Sequence, residues 1–332
     1  MASGEFDVIA RHFAPIARAF PGALDLKDDA ALFDPPPGSR LVVTADAMVA
    51  GVHFLPDDPP DLIARKLMRV NLSDLAAKGA TPYACLLTIC LPTGTAEAWI
   101  AAFAQGLAAD ARDYAFPLAG GDTTSTPGPL TLSLTAVGLA PAGRAPILRS
   151  GAQAGDLAFV TGTIGDAVLG LALQRGEWPA LAEEHRAALI GRYRLPQPRV
   201  AFGQALAGLG PAKVHAAADV SDGLVADLGH ICEASGVSAR LEAARLPLSP
   251  AVAAALAQEG GETALARLLT GGDDYEIVFA APPDAEAAIL ALAAAHELTV
   301  TRIGRIESGQ GVTVIDAAGK ALSLPQKGYR HF

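Results

Sequence analysis

The chain has 332 residues and a formal net charge of −10, a length typical of two domains and a charge that excludes the basic face a nucleic-acid binder needs. Its three cysteines, Cys85, Cys90 and Cys232, form no CxxC pair, which excludes a disulfide framework or an ordinary zinc site. No apolar run nears the roughly 20 residues that span a bilayer, and Met1 to Arg11 holds no apolar signal-peptide core, so a cytoplasmic protein is expected.

The predicted elements alternate strand and helix. A strand at 41–44 precedes a helix at 60–78, a strand at 83–91, a helix at 96–114 and a strand at 130–139. The small, polar stretch 149–156 marks a boundary, which divides the chain into domains 1–148 and 149–332. The pattern then restarts. A strand at 157–161 and a glycine turn open a helix that ends near Gln174. Pro196-Gln197-Pro198 precedes another helix. A strand at 214–218 and a helix at 224–234 follow, the helix carrying Leu224, Leu228 and Ile231 on one face. A strand at 275–280, an Ala-rich helix at 284–296 and a hairpin of 311–315 with 320–324 complete the reading. Such alternation implies an α/β or layered α+β fold.

Short acidic segments stand beside these elements: Asp28-Asp29, Thr44-Ala45-Asp46, Asn71-Leu72-Ser73-Asp74, Gly120-Gly121-Asp122-Thr123, Asp219-Val220-Ser221-Asp222-Gly223 and Gly271-Gly272-Asp273-Asp274-Tyr275-Glu276. They are expected where strands end and helices begin. Clustered carboxylates repel unless a cation holds them, and oxygen ligands without His or Cys select Mg²⁺. Asp74 continues the apolar stripe of Ile63, Leu67 and Val70. A carboxylate there binds metal or pairs with Arg65, Arg69 or Lys78. Asp46, read as a strand end, is a ligand or a turn cap. The Gly120-Gly121 step admits a ligand close to the backbone or is a plain loop. Ser221 or Asp222 caps the next helix; the polar groups left over suit a phosphate with its metal. His53 and Arg149 each read as a ligand contact or as an ordinary surface residue. No GxxxxGK[ST] or GxGxxG motif is present.

Taken in order, these segments resemble the thiamine-monophosphate kinase family. The likeness runs from Gly4-Glu5-Phe6 through Val49-Ala50-Gly51-Val52-His53-Phe54 and the acidic segments to Lys327-Gly328-Tyr329. It implies the fold of aminoimidazole ribonucleotide synthetase, with N-terminal sheets pairing across a homodimer. It implies that the first domain binds ATP and Mg²⁺, and that ATP and thiamine monophosphate are the partners, giving ADP and thiamine diphosphate. By matching positions, Asp29, Thr44, Ala45, Asp46, Asp74, Asp122, Asp219 and Asp222 would hold several Mg²⁺ ions. Gly121, Asp122, Arg149 and Ser221 would contact ATP, and His53, Asp273 and Gln326 the thiamine phosphate. Asp222 and Arg149 would be the most sensitive to substitution.

Three positions depart from the family pattern. Lys27 replaces the usual Gly before the paired aspartates, Asp273 replaces a Glu, and Gln326 stands where relatives often carry an aromatic. The acceptor is already an anionic phosphate oxygen, so direct in-line transfer needs no acid or base from the protein. The rival readings are another ATP-using enzyme of the synthetase-like superfamily and a non-catalytic Mg-nucleotide-binding protein.

Overall fold

In a computed structural model, the described residues are 5–140, 142–178, 181–324 and 328–329. Gln326, the expected substrate contact, lies outside them, as do Gly4 and Lys327 of the family motifs. The chain forms two compact units: Met1–Leu75 with Ala80–Gly143, and Ala76–Gly79 with Arg144–Phe332.

The first unit opens with α1 (Glu5–Val8) and α2 (Ala14–Ala17), joined by a π-helical turn. Its sheet has the order β1-β4-β2-β3, from β1 (Arg40–Val49), β2 (Thr81–Pro92), β3 (Leu118–Thr126) and β4 (Thr131–Ala140). The β1/β4 and β4/β2 pairs are antiparallel; β2 and β3 are parallel. A parallel neighbour needs a crossover, and α4 (Glu97–Asp113) supplies it. α3 (Pro60–Ala77) carries the buried stripe of Ile63, Leu67 and Val70.

The second unit holds a six-stranded sheet in the order β10-β7-β9-β5-β8-β6. Its strands are β5 (Leu157–Thr161), β6 (Ala216–Asp219), β7 (Ser238–Glu242), β8 (Ile277–Ala281), β9 (Val300–Glu307) and β10 (Gly311–Ile315). Every residue of β5 and β8 is buried, which explains their unbroken apolar runs: both faces of the sheet are covered. Val160 and Val278 pack with Leu224, Leu228 and Ile231 of α8 (Leu224–Ser235). Phe159 and Phe279 pack on the other face with Phe202 of α7 (Val200–Gly208) and Ile289 of α11 (Glu286–Ala295). α5 (Asp166–Gln174), α6 (Glu183–Arg194), α9 (Pro250–Gln258) and α10 (Glu262–Thr270) complete the unit.

Several expectations change. The strand expected at 41–44 continues to Val49, so Asp46 lies mid-strand rather than at an end. Gly120 to Thr123, read as a loop, lies inside β3. What Gly121 admits there is the backbone of β2: it has φ +151°, and a Cβ would sit 1.8 Å from the Leu87 carbonyl oxygen. The expected C-terminal hairpin is reduced to a short antiparallel return, with one bridge from Ile315 to Ala321 and bonds from Asp316 N–H to the Lys320 carbonyl and from Leu322 N–H to the Val314 carbonyl, while β10 pairs in parallel with β7. α1, α2, α6, α9, α10, β7 and β9 escaped the reading. The strands β7 and β9 mix charged and apolar residues, and Arg240 pairs with Glu307 across them at 2.8 Å.

Candidate functional site

In the first unit, the two-residue period of β1 puts Thr44 and Asp46 on one face and Ala45 on the other. Thr44 and Asp46 are half-buried, while Ala45 is exposed, so its backbone carbonyl is the donor it can offer a metal. Thr44 Oγ1 donates to Asp74 Oδ2 at 2.6 Å. Asn71, one turn earlier on α3, accepts the Asp46 N–H at 3.2 Å and donates to the Leu67 carbonyl at 2.9 Å. Helix and strand therefore bring Thr44, Asp46 and Asp74 into one group.

The salt-bridge reading of Asp74 is not what the structure holds. Arg65 and Arg69 turn to the buried Asp110, with Nε–oxygen distances of 2.9 and 2.6 Å. Lys78 Nζ donates to the Ala217 carbonyl at 2.8 Å. Asp74 is half-buried and accepts its hydrogen bond from the Thr44 hydroxyl, not from one of these cations.

A cavity of about 610 Å³ in the same unit gathers Asp28, Asp29, Thr88, Gly121, Asp122 and Thr123. His53 lies in the turn after β1. Its Nδ1 accepts the Val49 N–H at 3.0 Å, and its carbonyl accepts Lys66 Nζ at 3.1 Å. It does not line that cavity.

In the second unit the two remaining motifs run side by side. The Val220 N–H donates to the Glu276 carbonyl (2.8 Å), Tyr275 N–H to Val220 (2.8 Å) and Asp273 N–H to Ser221 (2.9 Å). This ladder extends the β6/β8 pairing past its last register pair, Asp219 with Ile277. A Cβ on Gly272 would lie 2.2 Å from the Ser221 carbonyl oxygen, so only glycine fits this approach. Asp273 and Tyr275 adopt φ of +73° and +51°, a left-handed backbone that costs energy for residues with a side chain. The alternation sends Asp274 and Glu276 inward, both buried, and leaves Asp273 and Tyr275 half-exposed. The Tyr275 hydroxyl donates to Asp273 Oδ1 at 3.2 Å.

Sequence reasoning missed Asp227. Its carboxylate is buried on α8 and accepts the N–H groups of both Ser221 and Asp222, each at 3.0 Å. Burial pushes its carboxyl up to about 7, against the pull of those N–H groups and of Arg149. The signal was present: Asp227 lies between Leu224 and Ile231 on the stripe facing the core. The carboxylates of Asp222 and Asp227 and the ring of His230 bring ligand atoms within 4.8 Å of one another. Asp222 also borders a cavity of about 680 Å³, with His230, Glu233 and Tyr329. Arg149 is exposed, and its carbonyl accepts Ser235 Oγ at 3.2 Å.

Burial also drives the Asp274 carboxyl well above the ordinary carboxylate range, against the Gly165 N–H and with the help of Asp166. A carboxyl raised in the fold contributes stability that is complete below its unfolded value of 3.8 and lost as pH rises through the folded value. Asn imitates the protonated form. Asp274→Asn should therefore gain on the wild type in thermal midpoint as pH is raised from the unfolded value of 3.8 upward. A pH-independent difference between the two melting curves would show that Asp274 is not protonated in the fold.

The donors in both units are carboxylate and hydroxyl oxygens, with one imidazole beside Asp222. That chemistry fits Mg²⁺. Two antiparallel-rich sheets, each with its own group of acidic side chains, define a two-domain protein of the AIR synthase related class. The profile of the AIR synthase related N-terminal domain matches residues 27–140, and that of the C-terminal domain residues 153–317. The chain belongs to the thiamine-monophosphate kinase family. It is 47% identical to the thiamine-monophosphate kinase of Caulobacter vibrioides over 98% of this chain and 90% of that protein. The crystal structure of thiamine-monophosphate kinase from Stenotrophomonas maltophilia is 42% identical, with a TM-score of 0.81 over 94% of this chain and 98% of that one. AaThiL complexed with AMPPCP and TMP is 31% identical, with a TM-score of 0.78 over 92% of this chain and 91% of that one.

Proposed function

We propose that this chain is an ATP-dependent kinase that phosphorylates thiamine monophosphate to thiamine diphosphate. The observation that carries the reading is the 47% identity to a thiamine-monophosphate kinase over nearly the whole chain. The solved AaThiL complex with AMPPCP and TMP, a relative at 31% identity, supports both substrates.

In this reading an oxygen of the thiamine phosphate attacks the γ-phosphorus of ATP. The bond from that phosphorus to the β,γ-bridging oxygen breaks, and its electron pair leaves with ADP. The acceptor needs no deprotonation by the protein, because a phosphomonoester has its second pKa near 6. Mg²⁺, when bound, offsets the charge of the phosphates. Asp29, Thr44, Asp46, Asp74, Asp122, Asp219 and Asp222, with the carbonyl of Ala45, are the oxygens proposed to hold it. Gly121, Asp122, Arg149 and Ser221 are assigned to ATP, and His53 and Asp273 to the thiamine phosphate. No phospho-enzyme is required.

The domain division proposed is 1–148, for ATP, Mg²⁺ and dimerisation, and 149–332. The homodimer is supported by β1, an edge strand of its sheet with Leu41 and Val43 exposed at 49% and 59%. A cytoplasmic location is proposed on the absence, among the described residues, of any helix long and apolar enough to cross a membrane.

The test is an incubation with ATP, Mg²⁺ and thiamine monophosphate, with products separated by chromatography. ADP and thiamine diphosphate should form in equal amounts, and chelating Mg²⁺ should stop both. Tight Mg-ATP binding without thiamine diphosphate would sink the kinase reading.

A further inference from the structure

Backbone N–H groups at the start of a helix lack partners inside the helix and so collect anions. α8 begins at Leu224 after its cap residue Gly223; the two N–H groups just before that cap, those of Ser221 and Asp222, could widen such a cradle, and they do not. The N–H groups of Ser221 and Asp222 both donate to Asp227 Oδ2 at 3.0 Å. The carbonyl of Ser221 accepts the Asp273 N–H, and that of Asp222 accepts the Tyr329 N–H, each at 2.9 Å. Every backbone N–H and C=O of this dipeptide is thus engaged. What the loop keeps for a ligand is the Ser221 hydroxyl and the Asp222 carboxylate.

Asp227 is 1% exposed, anchored on the first turn of a helix packed into the core. One buried carboxylate therefore fixes the backbone of both Ser221 and Asp222.

We propose that Asp227 is a positioning residue: its carboxylate occupies the anion cradle of the Asp219–Gly223 loop, so that the loop presents side-chain oxygens to a divalent cation instead of N–H groups to a phosphate. This rests on the Mg²⁺-dependent reading above. Ligand-orienting partners of this kind change metal affinity by about 10–100-fold when removed. The requirement is for an acceptor at that place, so the amide oxygen of Asn can stand in and a displaced carboxylate cannot.

The experiment compares Asp227→Ala, Asp227→Asn and Asp227→Glu with wild type. It reads the Mg²⁺ concentration for half-maximal binding of AMPPCP by calorimetry, the KM for thiamine monophosphate, and the thermal midpoint. Ala and Glu should each raise the Mg²⁺ requirement about 10–100-fold with the KM for thiamine monophosphate unchanged, and Asn should restore most of it. Glu keeps the charge and the bulk, so it remains informative if Ala does not fold. Wild-type Mg²⁺ dependence in Glu, or in a folded Ala variant, overturns the proposal, as does an Asn variant as impaired as Ala. Because AMPPCP binding is read without turnover, a wild type that makes no thiamine diphosphate would defeat the kinase reading alone.

Discussion

Asp222→Asn is expected to lower thiamine diphosphate formation by about 100- to 1000-fold, the usual cost of removing one well-placed electrostatic group from a transition state, while the thermal midpoint stays near that of the wild type. The fold should survive because the bonds that hold Asp222 are made by its backbone: the N–H to Asp227 and the carbonyl to Tyr329. Asn keeps the size and shape of the side chain and removes only its charge. In the proposed reaction that charge anchors the cation facing two polyanions. The KM for thiamine monophosphate should change little, and the Mg²⁺ requirement should rise. The chromatographic assay, run as a Mg²⁺ titration, decides it. A variant with wild-type kcat and an unchanged Mg²⁺ requirement would remove Asp222 from the reaction.

Glu276→Ala should cost about 3–5 kcal/mol of folding stability, the loss typical of breaking a buried ion pair from one side. Glu276 is fully buried. Arg192 reaches its Oε1 at 2.9 Å, Arg199 binds both oxygens at 2.5 and 2.7 Å, and Thr161 Oγ1 donates to Oε2 at 2.7 Å. Thr161 in turn accepts the Ile277 N–H at 2.8 Å. Truncation leaves two guanidinium groups facing each other with no anion between them. Against a total stability of about 5–15 kcal/mol for a typical protein, this is a large fraction. Urea unfolding should show a midpoint far below wild type. An unchanged midpoint would mean that the arginines find other partners at no cost.

The alternation of strands and helices was legible wherever the core is simple. β5 and β8 are covered on both faces and read as unbroken apolar runs, and α8 shows its buried stripe directly. What stayed hidden was hidden for physical reasons. Thr44 to Asp46 looked like a strand end because acidic and small residues usually close strands, yet β1 continues to Val49 with Asp46 held from α3 by Asn71. Gly120-Gly121 looked like a loop because glycine weakens strands. Here it lets β3 lie against the Leu87 carbonyl of β2, where a Cβ on Gly121 would come within 1.8 Å of that oxygen. The Asp219–Gly223 loop was readable as polar chemistry at a helix start that suits a phosphate with its metal, but its tie to Asp227 was not: a short motif does not reveal its partner on the helix. The rule that singled out Asp74, an acid on an apolar stripe, applies equally to Asp227. Asp110, buried against Arg65 and Arg69, shows that the same rule also finds purely structural ion pairs.

The ladder joining Val220 and Ser221 to Asp273, Tyr275 and Glu276 bears on how the protein can be re-engineered. The loop proposed to read the acceptor and the loop proposed to hold the cation are cross-tied, and Gly272 leaves no slack between them. A library that randomises Asp273 alone to recruit a new phosphorylated acceptor will shift the backbone of Ser221 with it, and variants will be rejected for lost nucleotide binding rather than for poor recognition. Diversity should be drawn on both loops together, with Gly272 and Asp227 kept constant.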